Sequence, residues 1–223
     1  MERRKTVSVI GNAACASDGC TAEERFKWEM AFNLGKTLVD NGYRVLTGGG
    51  LGVMRAVMMG AHESDKYREG DTIAIVPSYD HNMVNDCADI VIPTGLDFYR
   101  DTIVANSEVV IAVGGGTGTL NEMSAAWKLG RMIICFKNIE GWSSRLAGAP
   151  MDNHIRYTGF KDQVFGVESP EEAIALIKEY LPKYDCCFDR IPLESPKLIK
   201  KSKSTWIGPN PYPHKKVKKM IEN

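Results

Sequence analysis

The chain has 223 residues, 43% of them apolar and 25% charged, with 28 Lys/Arg balancing 28 Asp/Glu. That composition fits a globular chain and excludes disordered and collagen-like ones; no apolar run approaches the ~18 residues of a bilayer span, so no membrane partner is expected. Met1-Glu-Arg-Arg-Lys5 leads straight into an apolar stretch without a leader-like segment or cleavage site, so a cytoplasmic protein is expected.

Thr6-Val-Ser-Val-Ile10 reads as a first strand, followed by Gly11-Asn12 and a loop of small residues to Thr21. From Glu23 to Val39 the apolar residues Phe26, Met30, Leu34 and Leu38 recur at helical spacing, and Asn41-Gly42 is a stop signal. Thr21-Ala-Glu-Glu24 is a capping-box start. Tyr43–Thr47 is a second strand, Gly48-Gly-Gly-Leu-Gly52 a glycine loop and Val53–Ala61 a helix. Asp71–Val76 and Asp89–Pro93 are further strands, and Leu96–Asn106 reads as a helix carrying Arg100. Val109–Val113 is wholly apolar and β-branched-rich, as a strand buried on both faces should be. Gly114-Gly-Gly-Thr-Gly-Thr119 follows, and helix propensity resumes at Leu120.

Met132–Phe136 is another buried strand, 138–161 reads as irregular, and Ser169-Pro-Glu-Glu172 opens a last helix to about Leu181. The alternation predicts an α/β fold, a doubly wound, mostly parallel, Rossmann-like sheet over residues 1–182. Residues 183–223 read as a basic, proline-containing extension with ten Lys/Arg against four Asp/Glu. The body is correspondingly acidic and the extension lacks base-reading features, so nucleic acid is not the expected partner.

The six cysteines do not suggest a disulfide framework, and neither they nor the four histidines show metal-ligand spacing; no metal is expected. Cys15 and Cys20, with four residues between them in a loop near the presumed site, are a candidate redox or metal pair.

The two glycine loops carry the chemistry. Each follows a strand and opens a helix, so each aims backbone N–H groups and a positive helix end at one sheet edge, where a phosphate is the usual occupant. Three glycines in a row lose extra chain entropy on folding, and a plain strand-to-helix turn needs only one. Neither loop is a P-loop or a full dinucleotide fingerprint. Thr119-Leu-Asn-Glu122 also fits a capping box, in which Glu122 would only satisfy backbone donors.

Gly48-Gly-Gly-Leu-Gly-Val-Met54 together with Gly114-Gly-Gly-Thr-Gly-Thr-Leu-Asn-Glu122 resembles the Lonely Guy (LOG) family, long labelled lysine decarboxylases. Gly141-Trp-Ser-Ser-Arg-Leu-Ala-Gly148 and Asp152 look like a prokaryotic branch related to molybdenum-cofactor carriers. The resemblance implies a Rossmann-like homodimer that cleaves the N-glycosidic bond of a nucleoside 5′-monophosphate, giving free base and ribose 5-phosphate. Arg100 matches the family arginine and Glu122 its catalytic glutamate. Glu122, held ionised by the helix end, would stabilise positive charge on the sugar and orient water, while Arg100 would grip phosphate or ribose. The 5′-phosphate would sit on Gly115, Gly116, Thr117, Gly118 and Thr119. Gly48, Gly49, Gly50, Gly52 and Met54 would cover the sugar side, with Gly11 and Asn12 facing base or ribose.

The chain departs from the plant-type pattern in having Gly114 for proline and Asp101 for lysine. The alternative is a non-catalytic nucleotide or molybdenum-cofactor (pterin) carrier using the same cradles. No bound cofactor is expected: lysine decarboxylation needs pyridoxal phosphate on a lysine, and none lies between Arg100 and Trp127.

Overall fold

The computed structural model describes residues 3–13, 21–157 and 159–185. Cys15, Cys20, Cys186, Cys187 and the extension from residue 186 onward lie outside the described residues. Seven strands form one sheet: β1 Thr6–Gly11, β2 Arg44–Thr47, β3 Thr72–Val76, β4 Ile90–Pro93, β5 Val109–Val113, β6 Met132–Phe136 and β7 Val164–Val167. Their spatial order is β4-β3-β2-β1-β5-β6-β7, and every neighbouring pair is parallel. The chain leaves β1 in one direction for β2 to β4, then returns to β1's other side for β5 to β7. That reversal is the switch point at which doubly wound sheets open a crevice above the strand ends.

The helices are α1 Ala22–Asp40, α2 Val53–His62, α3 Asp101–Val104, α4 Thr117–Lys128, α5 Trp142–Leu146 and α6 Pro170–Asp185. Thr21 and Glu24 form the expected capping box on α1. A strand sends alternate side chains to opposite faces. On one face Ile10, Val110, Ala112, Ile133 and Cys135 pack with Val104, Met123, Ala126 and Trp127 of the α3–α4 region. Val7, Val9, Val45, Val109 and Ile111 are also buried and alternate with that set, on the opposite face.

Helices α1 and α2 meet without side chains between them. A Cβ on Gly35 would lie 1.8 Å from the Val57 carbonyl oxygen, and one on Gly60 1.8 Å from that of Phe32. Only the missing side chains permit the approach, and backbone cannot swing aside as a side-chain end can. Gly60→Ala is therefore expected to cost a net amount of about 2 kcal/mol, overpacking outweighing the helix propensity gained. Chemical denaturation with an unchanged m-value would show it; a variant as stable as wild type would mean the helices separate freely.

Three features differ from expectation. Leu96–Asn106 is not one helix but a 3-10 turn, Asp97–Arg100, leading into the four-residue α3. Asp97 has φ 50°, a left-handed conformation that breaks helical continuity and that aspartate tolerates better than most residues. Within and after the segment read as irregular lie α5 and the seventh strand. Helix α4 starts at Thr117, with Gly116 as its N-cap, rather than near Leu120. Thr119 is then the third helical residue and cannot cap, so the capping-box reading of Thr119 and Glu122 fails.

Candidate functional site

The site lies above the C-terminal ends of β1, β2 and β5, and one residue ties these three loops together. The Asn12 carbonyl accepts the Val53 N–H at the start of α2 (3.0 Å), while its Oδ1 accepts the Gly115 N–H (2.7 Å). Gly11 makes this possible: a Cβ there would stand 2.4 Å from the Val113 carbonyl oxygen. Asn12 thus shapes the cradle with the oxygen expected to face base or ribose.

The β2 loop is held from below. Thr47 Oγ1 accepts the Gly49 N–H (3.0 Å), and Asn85 donates its backbone N–H to the Gly49 carbonyl (2.9 Å) and its Nδ2 to that of Gly50 (2.8 Å). Gly52 is the N-cap of α2, and Met54 folds its methyl over Gly50, 2.5 Å from where a Cβ would be. Because Asn12 takes the first N–H of α2, that helix end is partly spent.

The β5 loop leaves its helix end open. Gly114 has φ 67°, which proline cannot adopt, so the departure from the plant-type motif changes the loop's shape. Ser143 Oγ accepts the Gly114 N–H (2.8 Å) and itself donates to the Phe136 carbonyl (2.9 Å); the Trp142 and Ser143 N–H groups return to the Gly115 and Gly114 carbonyls (3.0 Å each). Helix α5, not expected from the sequence, is therefore the brace under the loop. Gly115 packs on Thr119, whose side chain is buried, whereas Gly116, Thr117 and Gly118 are exposed. Among the described residues no side chain caps this end of α4, and a Cβ on Gly116 or Gly118 would meet none of their atoms within 4 Å. The far end of α4 is closed by Arg156, which donates to the Trp127 carbonyl (2.5 Å) and lies 3.5 Å from the centre of the Trp127 ring.

Beside this seat Arg100 and Glu122 do meet, but not as expected. Arg100 Nη1 is 2.5 Å from Asp101 Oδ1 and 3.4 Å from Glu122 Oε1, and Nη2 reaches the Gly48 carbonyl at 3.5 Å. Asn121 Nδ2 holds the other Asp101 oxygen (3.0 Å). Arg100 Nε is buried without a hydrogen-bond partner among the described residues. Glu122 is 8% exposed and sits in the second turn of α4, beyond the N–H groups meant to keep it charged. Burial first, then the Asp101 carboxylate, push its pKa from 4.5 up to about 8, against the opposing pull of Arg100. The expectation of an ionised Glu122 is therefore reversed: it is mainly protonated at neutral pH.

Among the described residues, no group of three or more His, Cys, Asp or Glu could hold a metal, and no helix is long and apolar enough to cross a membrane. Cys87 is buried and bonded to Asp86, and its pKa is pushed up to about 11 by that burial first and the carboxylate second, so it is no nucleophile.

Parallel doubly wound topology with a glycine-built, uncapped helix end at the switch point defines a Rossmann-like protein suited to a phosphorylated ligand. Residues 4–174 match the SLOG cluster4 family, and the chain belongs to it. An uncharacterised protein of Archaeoglobus fulgidus is 33% identical over 132 residues, 59% of this chain and 79% of that one. The molybdenum cofactor binding protein of Rippkaea orientalis is similar at 33% identity and a TM-score of 0.64, covering 81% of this chain and 99% of that one. The molybdenum cofactor carrier protein of Chlamydomonas reinhardtii is similar at 31% identity and a TM-score of 0.57, with 80% and 99% covered. The LOG-like resemblance thus holds at the level of fold and branch.

These relatives overturn the phosphoribohydrolase expectation, and with it the enzyme assignment: the proteins this chain is similar to are named for binding and carrying a cofactor. The site has a physical reason to agree. A carboxylate that must be charged to stabilise a cationic sugar is buried and protonated, and the arginine meant for the ligand already holds Asp101. That aspartate is the residue where the plant-type enzymes have lysine.

Proposed function

We propose that this protein binds a phosphorylated pterin-type ligand of the molybdenum-cofactor class and carries it without cleaving it. The observation that carries this reading is the open N-terminal end of α4, where Gly116 and Gly118 leave room that a Cβ would take. A phosphate monoester placed there meets backbone N–H groups and the positive helix end. Gly116, Thr117 and Gly118 would hold it, on a loop kept in shape by Asn12 and Ser143. Protonated Glu122 spares the ligand's phosphate a nearby negative charge, and the unpartnered Arg100 Nε is a donor that a ligand could use. The ligand is cargo, and its redox chemistry belongs to whatever protein receives it. We infer in addition that the carrier is a homodimer, as the family resemblance implies.

The test is retention. The full chain, expressed in cells that make molybdenum cofactor, should keep pterin fluorescence and molybdenum at near one equivalent through gel filtration and lose both to excess inorganic phosphate. Incubated with nucleoside 5′-monophosphates, it should release no ribose 5-phosphate. Failure to retain or rebind a phosphorylated pterin would sink the reading, and tight uncleaved nucleotide in its place would identify the cargo as a nucleotide.

A further inference from the structure

The described residues line a cavity of about 400 Å³ at the edge of the sheet opposite the glycine cradles. Its walls come from segments that lead into strands. Arg4 precedes β1, Val39 and Gly42 stand at the end of α1 and the turn before β2, and Asp65, Lys66, Tyr67 and Arg68 lie between α2 and β3. These three strands are parallel, so the segments share the N-terminal edge of the sheet. The cradles lie at the C-terminal ends, and six-residue β1, at about 3.3 Å per residue, sets the two edges about 20 Å apart.

The lining carries three cations, Arg4, Lys66 and Arg68, against one carboxylate, Asp65, an excess of two positive charges. The acids nearby are already occupied. Asp71, 1% exposed, accepts Arg4 Nη1 (2.5 Å) at one oxygen and the Arg68 N–H (3.0 Å) at the other, and Arg44 Nε lies 4.0 Å from it. Asp89 accepts the Tyr67 hydroxyl (2.5 Å) and the Gly70 and Thr72 N–H groups (3.0 Å each), and Asp40 accepts the Ser64 hydroxyl (2.6 Å); neither lines the cavity. The cations keep donors in hand. Arg4 gives one to Asp71 and one each to the Gly42 and Tyr43 carbonyls (3.2 and 3.4 Å), fewer than its guanidinium offers. Lys66 Nζ donates to the Asp40 carbonyl (2.6 Å), a neutral partner that leaves its charge unmatched. Arg44 Nε is buried without a hydrogen-bond partner among the described residues. The Arg68 side chain makes no hydrogen bond or ion pair among them.

We propose that this cavity binds a phosphomonoester of about mononucleotide size, at a second site separate from the open end of α4. A surplus of two positive charges matches the near-double negative charge of such a group at neutral pH. Guanidinium forks with spare N–H groups suit its several oxygens, and Arg68, held only through its backbone, is free to close on them. The volume falls within the range of small-molecule sites and exceeds what a bare phosphate fills, and Val39 and Tyr67 supply apolar wall for a sugar or base. The site does not rest on the carrier reading. Its donors are side chains at one edge of the sheet, whereas the seat on α4 offers backbone N–H groups at the other.

Hydrogen exchange on the full chain, with and without adenosine 5′-monophosphate or ribose 5-phosphate, tests this. Either ligand should slow exchange in 39–44 and 64–71, and Arg68→Ala should abolish that protection. The variant should unfold at the wild-type temperature, because its side chain has no partner among the described residues to lose. Calorimetric titration should show binding at least about tenfold weaker in the variant, the loss of one charge-assisted hydrogen bond. The tighter of the two ligands tells whether the wall reads a base or only a sugar. Inorganic phosphate binding as tightly as both would overturn the choice of an organic phosphate. Absence of protection at 39–44 and 64–71, whatever happens at 114–120, would overturn the site, as would protection there that Arg68→Ala leaves intact. Neither result touches the carrier reading, which is tested at the other edge of the sheet.

Discussion

Gly118→Ala should make the protein more stable and a worse binder at once. Gly118 is the second residue of α4, inside a helical first turn, where glycine is less favourable than alanine by up to about 1 kcal/mol. Nothing among the described residues asks for that sacrifice, since its φ is not positive and an added Cβ would meet none of their atoms within 4 Å. Its use must therefore lie outside the protein, in the approach of a ligand to the N–H groups of the turn. A methyl group there would hold a phosphate away from those donors. Loss of one or two charge-assisted hydrogen bonds corresponds to about a hundredfold weaker binding. Calorimetric titration with a phosphorylated pterin, beside thermal unfolding of the same samples, reads both quantities. Equal affinity in variant and wild type would remove Gly118 from the seat and take the main support from the carrier reading. The structural glycines give the contrast: Gly35 and Gly60 face backbone, so substitution there should lower stability.

How far the sequence could anticipate this site depends on how local each feature is. β5 and β6 are wholly apolar five-residue runs, and their ends were readable because the pattern stops where the strand stops. β7 is four residues with a glycine inside it, too short for any period to show. Helix α5 is a single turn, so its role under Gly114 rests on tertiary hydrogen bonds that no spacing encodes. The Leu96–Asn106 segment has apolar residues at helical intervals, and only the left-handed Asp97 shows that the helix breaks. Thr119 and Glu122 carry a capping signature, and it misled because α4 begins at Thr117, a residue with no such signature. The glycine cradles were legible as motifs. The protonation of Glu122 was not: it follows from burial and from Asp101, the chain neighbour of Arg100, and only the fold brings that pair to Glu122.

That protonation makes stability depend on pH in a direction opposite to an ordinary paired carboxylate. Below pH 4.5 Glu122 carries its proton in folded and unfolded chains alike and has no effect. Between pH 4.5 and about 8 the unfolded chain has released the proton while the folded chain retains it, so rising pH favours unfolding. Above about pH 8 the folded carboxyl ionises too and the loss is complete, amounting to roughly 5 kcal/mol. Glu122→Gln keeps the shape and cannot titrate. The variant should match wild type near pH 4.5, pull ahead through neutrality and exceed it by that amount above pH 8, as measured by urea denaturation across the range. Binding should follow. A phosphate is already largely dianionic once its second ionisation near pH 6 is passed, so a further fall in wild-type affinity above pH 8, about tenfold, reports the new charge on Glu122. The glutamine variant should show no such fall. If instead the two proteins keep a constant difference from pH 4.5 to 9, Glu122 is ionised in the folded protein. The carboxylate would then be available for the sugar chemistry that its burial against Asp101 argues against.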